Sequence, residues 1–195
     1  PKDMYWSSLT TCIESIKSGI TTTCDMQYLH TTPQMTYEAC KAVKDSGIRG
    51  IISRQNSDAD RFSKFPAKRK VHWEPLDVYL SNTEKAYNEW HGKANGRIEI
   101  WAGPNTIFSC SDDLIQKVTD WTEKHGLRQF IHLSETKWEF EQIKKHVNST
   151  PLQALWHIDP RAVSRGIMVH AIWMTPKDLR LLAKHGGAVS HNTTS

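Results

Sequence analysis

Three stretches of this 195-residue chain read as short strands that end in histidine: Phe130-Ile131-His132, Met168-Val169-His170 and Val189-Ser190-His191. The first continues as His132-Leu133-Ser134-Glu135, so a carboxylate follows its imidazole by three residues. Where parallel strands close into a barrel, side chains at the carboxyl ends of different strands converge on one mouth, and that mouth holds the chemistry. A hydrolytic metal site uses neutral imidazoles and carboxylates as ligands and leaves one position for water. The cation lowers that water's pKa towards ~7, and a nearby carboxylate moves protons from nucleophile to leaving group. On this logic His132 is the first metal-ligand candidate and Glu135 the proton carrier. His170 either polarises the nucleophile or contacts an ion. Each residue also has a plainer use. A strand-end histidine can be a hydrogen-bonded structural residue, Glu135 can complement the dipole at a helix start, and His191 can donate to a loop carbonyl.

These side chains need elements to bring them together, and one junction recurs along the chain: a helix ends in glycine and a strand begins at once. It occurs around Gly19, Gly47, Gly96, Gly126, Gly166 and Gly186. Glycine suits the left-handed conformation that follows a helix's last turn. The spacing predicts helices over Asp3–Ser18, Pro33–Lys44, Asp77–Gly92, Ser111–His125, Thr136–Val147 and Pro176–His185, with Thr32, Ser111 and Thr175 as caps. The strands between them are short and apolar, as expected when both faces are covered. Alternating units with short turns indicate a parallel α/β architecture in a single domain. Gln55–Leu76 and Pro151–Arg165 read as two long excursions near strand ends, where substrate loops would lie.

Composition sets the class. The chain is 38% hydrophobic and 24% charged with a net charge of +4, the balance of a globular domain. The basic stretch from Lys64 to Lys70 reads as a solvated loop rather than a phosphate site. Cys12, Cys24, Cys40 and Cys110 are widely spaced, so buried free thiols are expected and a disulfide framework is not. No apolar run approaches the ~20 residues of a membrane span. No Gly-x-Gly-x-x-Gly or Walker sequence is present, nor the His-x-Glu and Pro-Cys-x-x-Cys pattern of one zinc deaminase class. The expectation is a cytoplasmic protein with a small-molecule substrate and neither nucleic acid nor membrane as partner. The eight tryptophans read mainly as core, with Trp73 and Trp173 as candidates for substrate contact. The chain opens on Pro1 without a methionine and reads as a piece of something longer.

Thr21-Thr22-Thr23-Cys24-Asp25-Met26, Gly47-Ile48-Arg49-Gly50, Phe130-Ile131-His132-Leu133-Ser134-Glu135-Thr136, Val169-His170-Ala171 and Val189-Ser190-His191-Asn192 appear in that order. This series resembles the amidohydrolase superfamily, in its deaminase and chlorohydrolase branch, over essentially the whole chain. The resemblance implies a (β/α)8 barrel, of which this chain would supply strands two to seven. It implies one divalent metal, zinc first and iron or manganese as options, and hydrolysis of a C–N bond on a purine, pyrimidine or triazine-like ring. It also implies a possible homodimer. His132 is similar to the family's fifth-strand metal ligand, Glu135 to its proton-transferring acid, and His170 to the sixth-strand histidine at the metal-bound water or a second ion. Arg54 falls where some relatives place a substrate-binding arginine, a surface salt bridge being the other reading.

The departures matter as much. Gly103-Pro104-Asn105 stands where several deaminases read Gly-Pro-His, so Asn105 would meet substrate with different donors. His191-Asn192-Thr193 replaces the usual His-Asn-Pro around a further substrate candidate, His191. The chain contains no His-x-His pair and no eighth-strand aspartate, so it is expected to be inactive alone. The alternative to an enzyme is a non-catalytic barrel used for binding. A metal-free, phosphate-binding barrel is a third reading.

Overall fold

The computed structural model describes residues 2–30, 32–61 and 73–194. The basic stretch at 64–70 and half of the first excursion lie outside them. The chain divides into two compact units, Pro1–Gln55 with Pro75–Ala102, and Asn56–Glu74 with Gly103–Ser195.

The first unit is built from α1 (Lys2–Lys17), β1 (Thr22–Gln27), α2 (Pro33–Ser46), β2 (Arg49–Asn56), α3 (Leu76–Trp90), the single turn α4 (Lys93–Gly96) and β3 (Ile98–Pro104). Its sheet has the order β1-β2-β3, with β1 and β2 parallel from Thr22 opposite Arg49 to Gln27 opposite Arg54. Cys12 of α1, Ala39, Cys40 and Val43 of α2, Ile52 of β2 and Ile98 and Ile100 of β3 form one apolar core. Pro33 opens α2 at its first turn, but the Thr32 side chain makes no cap bond, contrary to expectation. The expected run of buried thiols also needs correcting: all four cysteines are free, but Cys24 on β1 is exposed.

The predicted helix to Gly92 stops at Trp90, and the chain turns through α4, where Ala94 (φ 53°, ψ 46°) and Asn95 (φ 60°, ψ 44°) are left-handed. That conformation costs an alanine about 1–2 kcal/mol, whereas glycine adopts it freely at an entropic cost of about 0.5–1 kcal/mol. Ala94→Gly is therefore expected to stabilise the chain by about 0.5–1 kcal/mol. A urea denaturation midpoint that falls would contradict this.

The second unit contains α5 (Asp112–Lys124), β4 (Gln129–Leu133), α6 (Lys137–Val147), α7 (Pro151–Ile158), α8 (Pro160–Ser164), β5 (Gly166–His170), α9 (Pro176–His185) and β6 (Ala188–Ser190). Its sheet runs β4-β5-β6, all parallel. Leu114, Ile131, Leu133, Ile143, Leu155 and Met168 are wholly buried in it. The expected excursion over 151–165 is a correction: it folds as α7 and α8. Thr150 and Asp159 accept from the amides of Gln153 and Arg161, and a proline opens each helix.

Five of the six junction glycines are left-handed, at φ 68–84°. Gly166 is not among them. It is the first residue of β5, where a Cβ would overlap the carbonyl oxygen of Ala162, so close approach and not handedness demands glycine there. The tryptophans correct the sequence reading in part: Trp101 and Trp121 are buried as core, but Trp6 and Trp138 are 62% and 56% exposed, while Trp173, set apart as a candidate for substrate contact, is 42% exposed.

Candidate active site

His132 occupies the fourth position of β4, and its backbone is fixed first. Its amide donates to the carbonyl of Asn105 at 2.9 Å, and the adjacent Thr106 makes a parallel bridge to it. The ring is held by the same group, with Nδ1 3.1 Å from the Asn105 carbonyl oxygen. A carbonyl can only accept, so Nδ1 carries the proton and the lone pair of a neutral ring sits on Nε2. Burial pushes the imidazole of His132 below its ordinary pKa, and His170 adds to this against the Asn105 carbonyl and Glu135. Its neutral form is thereby favoured, which is the form that ligates metals.

The same arrangement repeats. His170 Nδ1 lies 3.4 Å from the carbonyl oxygen of Asn192, and His191 Nδ1 lies 2.9 Å from that of His170. Each strand-end ring is thus set by a main-chain carbonyl, with its Nε2 turned elsewhere.

Sheet register alone would keep His132 and His170 apart. His132 is opposite Val169, and His170 is opposite Leu133. Side chains alternate between faces along a strand, so straight strands would send the two imidazoles to opposite faces. The rings are nevertheless 5.5 Å apart between centroids. The backbone explains it: His170 has φ 72° and Ala171 φ 50°, so β5 leaves the extended conformation at the histidine. The strain of about 1–3 kcal/mol in such residues is tolerated where the surroundings fix them. Here the amide of Ala171 donates to Leu133, and those of Ile172 and Trp173 to Ser134.

Glu135 follows β4 in the turn before α6. Its Oε1 is 3.7 Å from His170 Nε2, and its side chain is 39% exposed against 8% for His170. One face of the second unit therefore presents two imidazoles and one accessible carboxylate. Two imidazoles next to a carboxylate suit a divalent ion of the zinc type, and carbonyl-anchored Nδ1–H groups are the usual second contacts of metal-bound histidines. Three or more His, Cys, Asp or Glu side chains in ligand geometry do not occur among the described residues. A tetrahedral ion would need donors beyond these.

The other expected site residues fall differently. Asn105 spends its side-chain amide on Ser57 Oγ at 3.3 Å, and its part in the site is the carbonyl that orients His132. Arg54 belongs to the first unit and is wholly buried, which rules out the surface salt bridge. It donates to Thr83 Oγ1 at 3.2 Å and to His30 Nδ1 at 3.0 Å. Trp173 is half-exposed beside the turn, its ring 5.9 Å from Lys137 Nζ. Sequence reasoning missed Glu139, which grips the turn that carries Glu135. The pattern Thr136-x-x-Glu139 is a capping-box signature and was there to be read.

The second unit joins parallel strands to strand-end imidazoles and an adjoining carboxylate in an α/β scaffold, and comparison with known sequences identifies the group. The chain belongs to the amidohydrolase family, whose profile matches residues 1–195. It is 34% identical to a 5-methylthioadenosine/S-adenosylhomocysteine deaminase of Caldanaerobacter subterraneus, covering 100% of this chain and 41% of that protein. To the 5'-deoxyadenosine deaminase of Methanosphaera stadtmanae it is 30% identical, covering 100% and 41%. Among solved structures, a mutant atrazine chlorohydrolase of Arthrobacter aurescens TC1, complexed with zinc and atraton, superposes with a TM-score of 0.85 at 18% identity, over 98% of this chain and 42% of that one. The guanine deaminase of C. acetobutylicum, with guanine bound, gives 0.75 at 23% identity, over 92% and 41%. These two share the fold. The chain spans about two fifths of the length of the relatives it matches.

Proposed function

We propose that the intact protein is a metal-dependent hydrolase that deaminates a heterocyclic ring, and that this chain forms strands two to seven of its (β/α)8 barrel. The observation that carries the reading is the approach of Glu135 Oε1 to within 3.7 Å of His170 Nε2, beside the half-buried ring of His132. Purine nucleosides are the first substrate class to test, because relatives over the full length of this chain are named as deaminases of adenosine derivatives. Pyrimidine and triazine-like rings are next.

Nε2 of His132 and of His170 would hold one divalent ion, zinc in this reading, which supplies Lewis acidity that lowers a water's pKa towards about 7. The remaining steps belong to the chain. Glu135 takes the proton from the attacking water as the C–O bond forms. It returns that proton to the amino nitrogen, and the C–N bond breaks to release ammonia. His170, its Nε2 3.7 Å from that carboxylate, would act as a ligand, which keeps the proton carrier beside the ion. Trp173, exposed next to the turn, offers an aromatic face to a flat ring, and His191, whose Nδ1 is held by the His170 carbonyl, keeps its Nε2 for substrate in this reading.

The test is made on the full-length protein. Purified with zinc, it should release ammonia from 5'-substituted adenosines and lose that activity on chelation. A metal-replete protein that binds such nucleosides without releasing ammonia would replace the enzyme reading with the non-catalytic one.

A further inference from the structure

Glu139 lies in the first turn of α6 and is 9% exposed, yet its carboxylate faces no cation among the described residues. It closes instead on two successive main-chain amides of the turn after β4. Oε1 accepts from Ser134 N at 3.1 Å and Oε2 accepts from Glu135 N at 2.8 Å. Its own amide donates to Thr136 Oγ1 at 3.1 Å, which ties it to the helix cap. Successive amides point to one side only when the chain leaves the extended conformation, and Ser134 has φ 54°. Such a concave pair of N–H groups is an anion-binding nest, here filled by a side chain of the helix that follows. The opposite edge of the turn is fastened as well. The Ser134 carbonyl accepts from Ile172 N at 3.1 Å and Trp173 N at 2.9 Å, in the loop that follows His170.

The peptide on which Glu135 stands is therefore clamped between two anchors, one of which leads to His170. We infer that Glu139 is a positioning residue: it holds Glu135 at working distance from His170 and touches neither substrate nor metal. This rests on the reading of Glu135 as the proton carrier. Both carboxylate oxygens are engaged, so Gln at 139 keeps the shape but turns one acceptor into a donor aimed at an N–H.

A misplacement of about 1 Å at a reacting group costs on the order of 10²-fold in rate. In the full-length protein Glu139→Gln is accordingly expected to lower kcat by about 30- to 100-fold, with KM within about threefold and zinc per chain unchanged. Amide exchange at Ser134 and Glu135 should accelerate at least about tenfold, because the two N–H groups lose an acceptor. In a double-mutant cycle, adding Glu139→Gln to Glu135→Gln should cost nothing further, because residues that act as a unit are not additive. A full additional loss in the double variant would overturn the inference. So would a lowered kcat with exchange at both amides unchanged, which would mark a general loss of stability. Should the wild-type protein turn over no substrate, the functional reading fails. The exchange measurement would still decide whether Glu139 anchors the turn.

Discussion

In the full-length protein, Glu135→Gln is expected to reduce kcat by about 10²- to 10⁴-fold, the contribution of a positioned proton-transfer group, while bound metal stays at the wild-type level. The substitution keeps the volume and one acceptor oxygen and removes only the ability to take and return a proton. Glu135 is far more accessible than His170, so little packing depends on it: its side chain is 39% exposed and stands 3.7 Å from His170 Nε2. Elemental analysis beside steady-state kinetics checks both halves. Turnover unchanged from wild type removes Glu135 from the mechanism, and loss of metal makes it a ligand instead.

Asp178→Ala is expected to destabilise the fold by about 3 kcal/mol, the combined cost of loosening two helix caps and leaving buried donors unpaired. Asp178 is 1% exposed. Its Oδ2 accepts from Thr175 N at 2.8 Å and Thr175 Oγ1 at 2.6 Å, closing the capping box of α9. Its Oδ1 accepts from Thr150 Oγ1 at 2.5 Å, and Thr150 is the residue that caps α7. One carboxylate thus serves the starts of two helices. A denaturant midpoint that moves by less than the equivalent of about 1 kcal/mol would show the two caps to be self-sufficient. Asp178→Asn should fall between Ala and wild type, since an amide oxygen can serve only part of the donor set.

The alternation of helix and strand was legible because local rules write it. Gly47 and Gly186 close α2 and α9 in the left-handed conformation, and apolar runs such as Gln129–Leu133 have the length and burial of an internal strand. The same rules announce α7 and α8. Thr150-Pro151 and Asp159-Pro160 repeat the cap-and-proline start of Thr175-Pro176, but short helices in a stretch expected to carry function read as loop. The site was legible to the extent of residue type and strand position. What alternation could not convey is the backbone at His170, because a non-glycine residue at φ 72° follows from the donors and acceptors around it and not from its own side chain. Burial was the other blind spot. Nothing local separates exposed Trp138 from buried Trp121, both on amphipathic helices, or tells that Arg54 turns its guanidinium towards His30 and Thr83.

The groups that settle which nitrogen of each strand-end ring holds its proton are peptide oxygens of residues 105, 192 and 170. Every amino acid carries one, so an exchange of residue type at 105 or 192 leaves the instruction to its neighbouring imidazole in place. Mutational drift can therefore rework the side chains around these rings without first changing their tautomers.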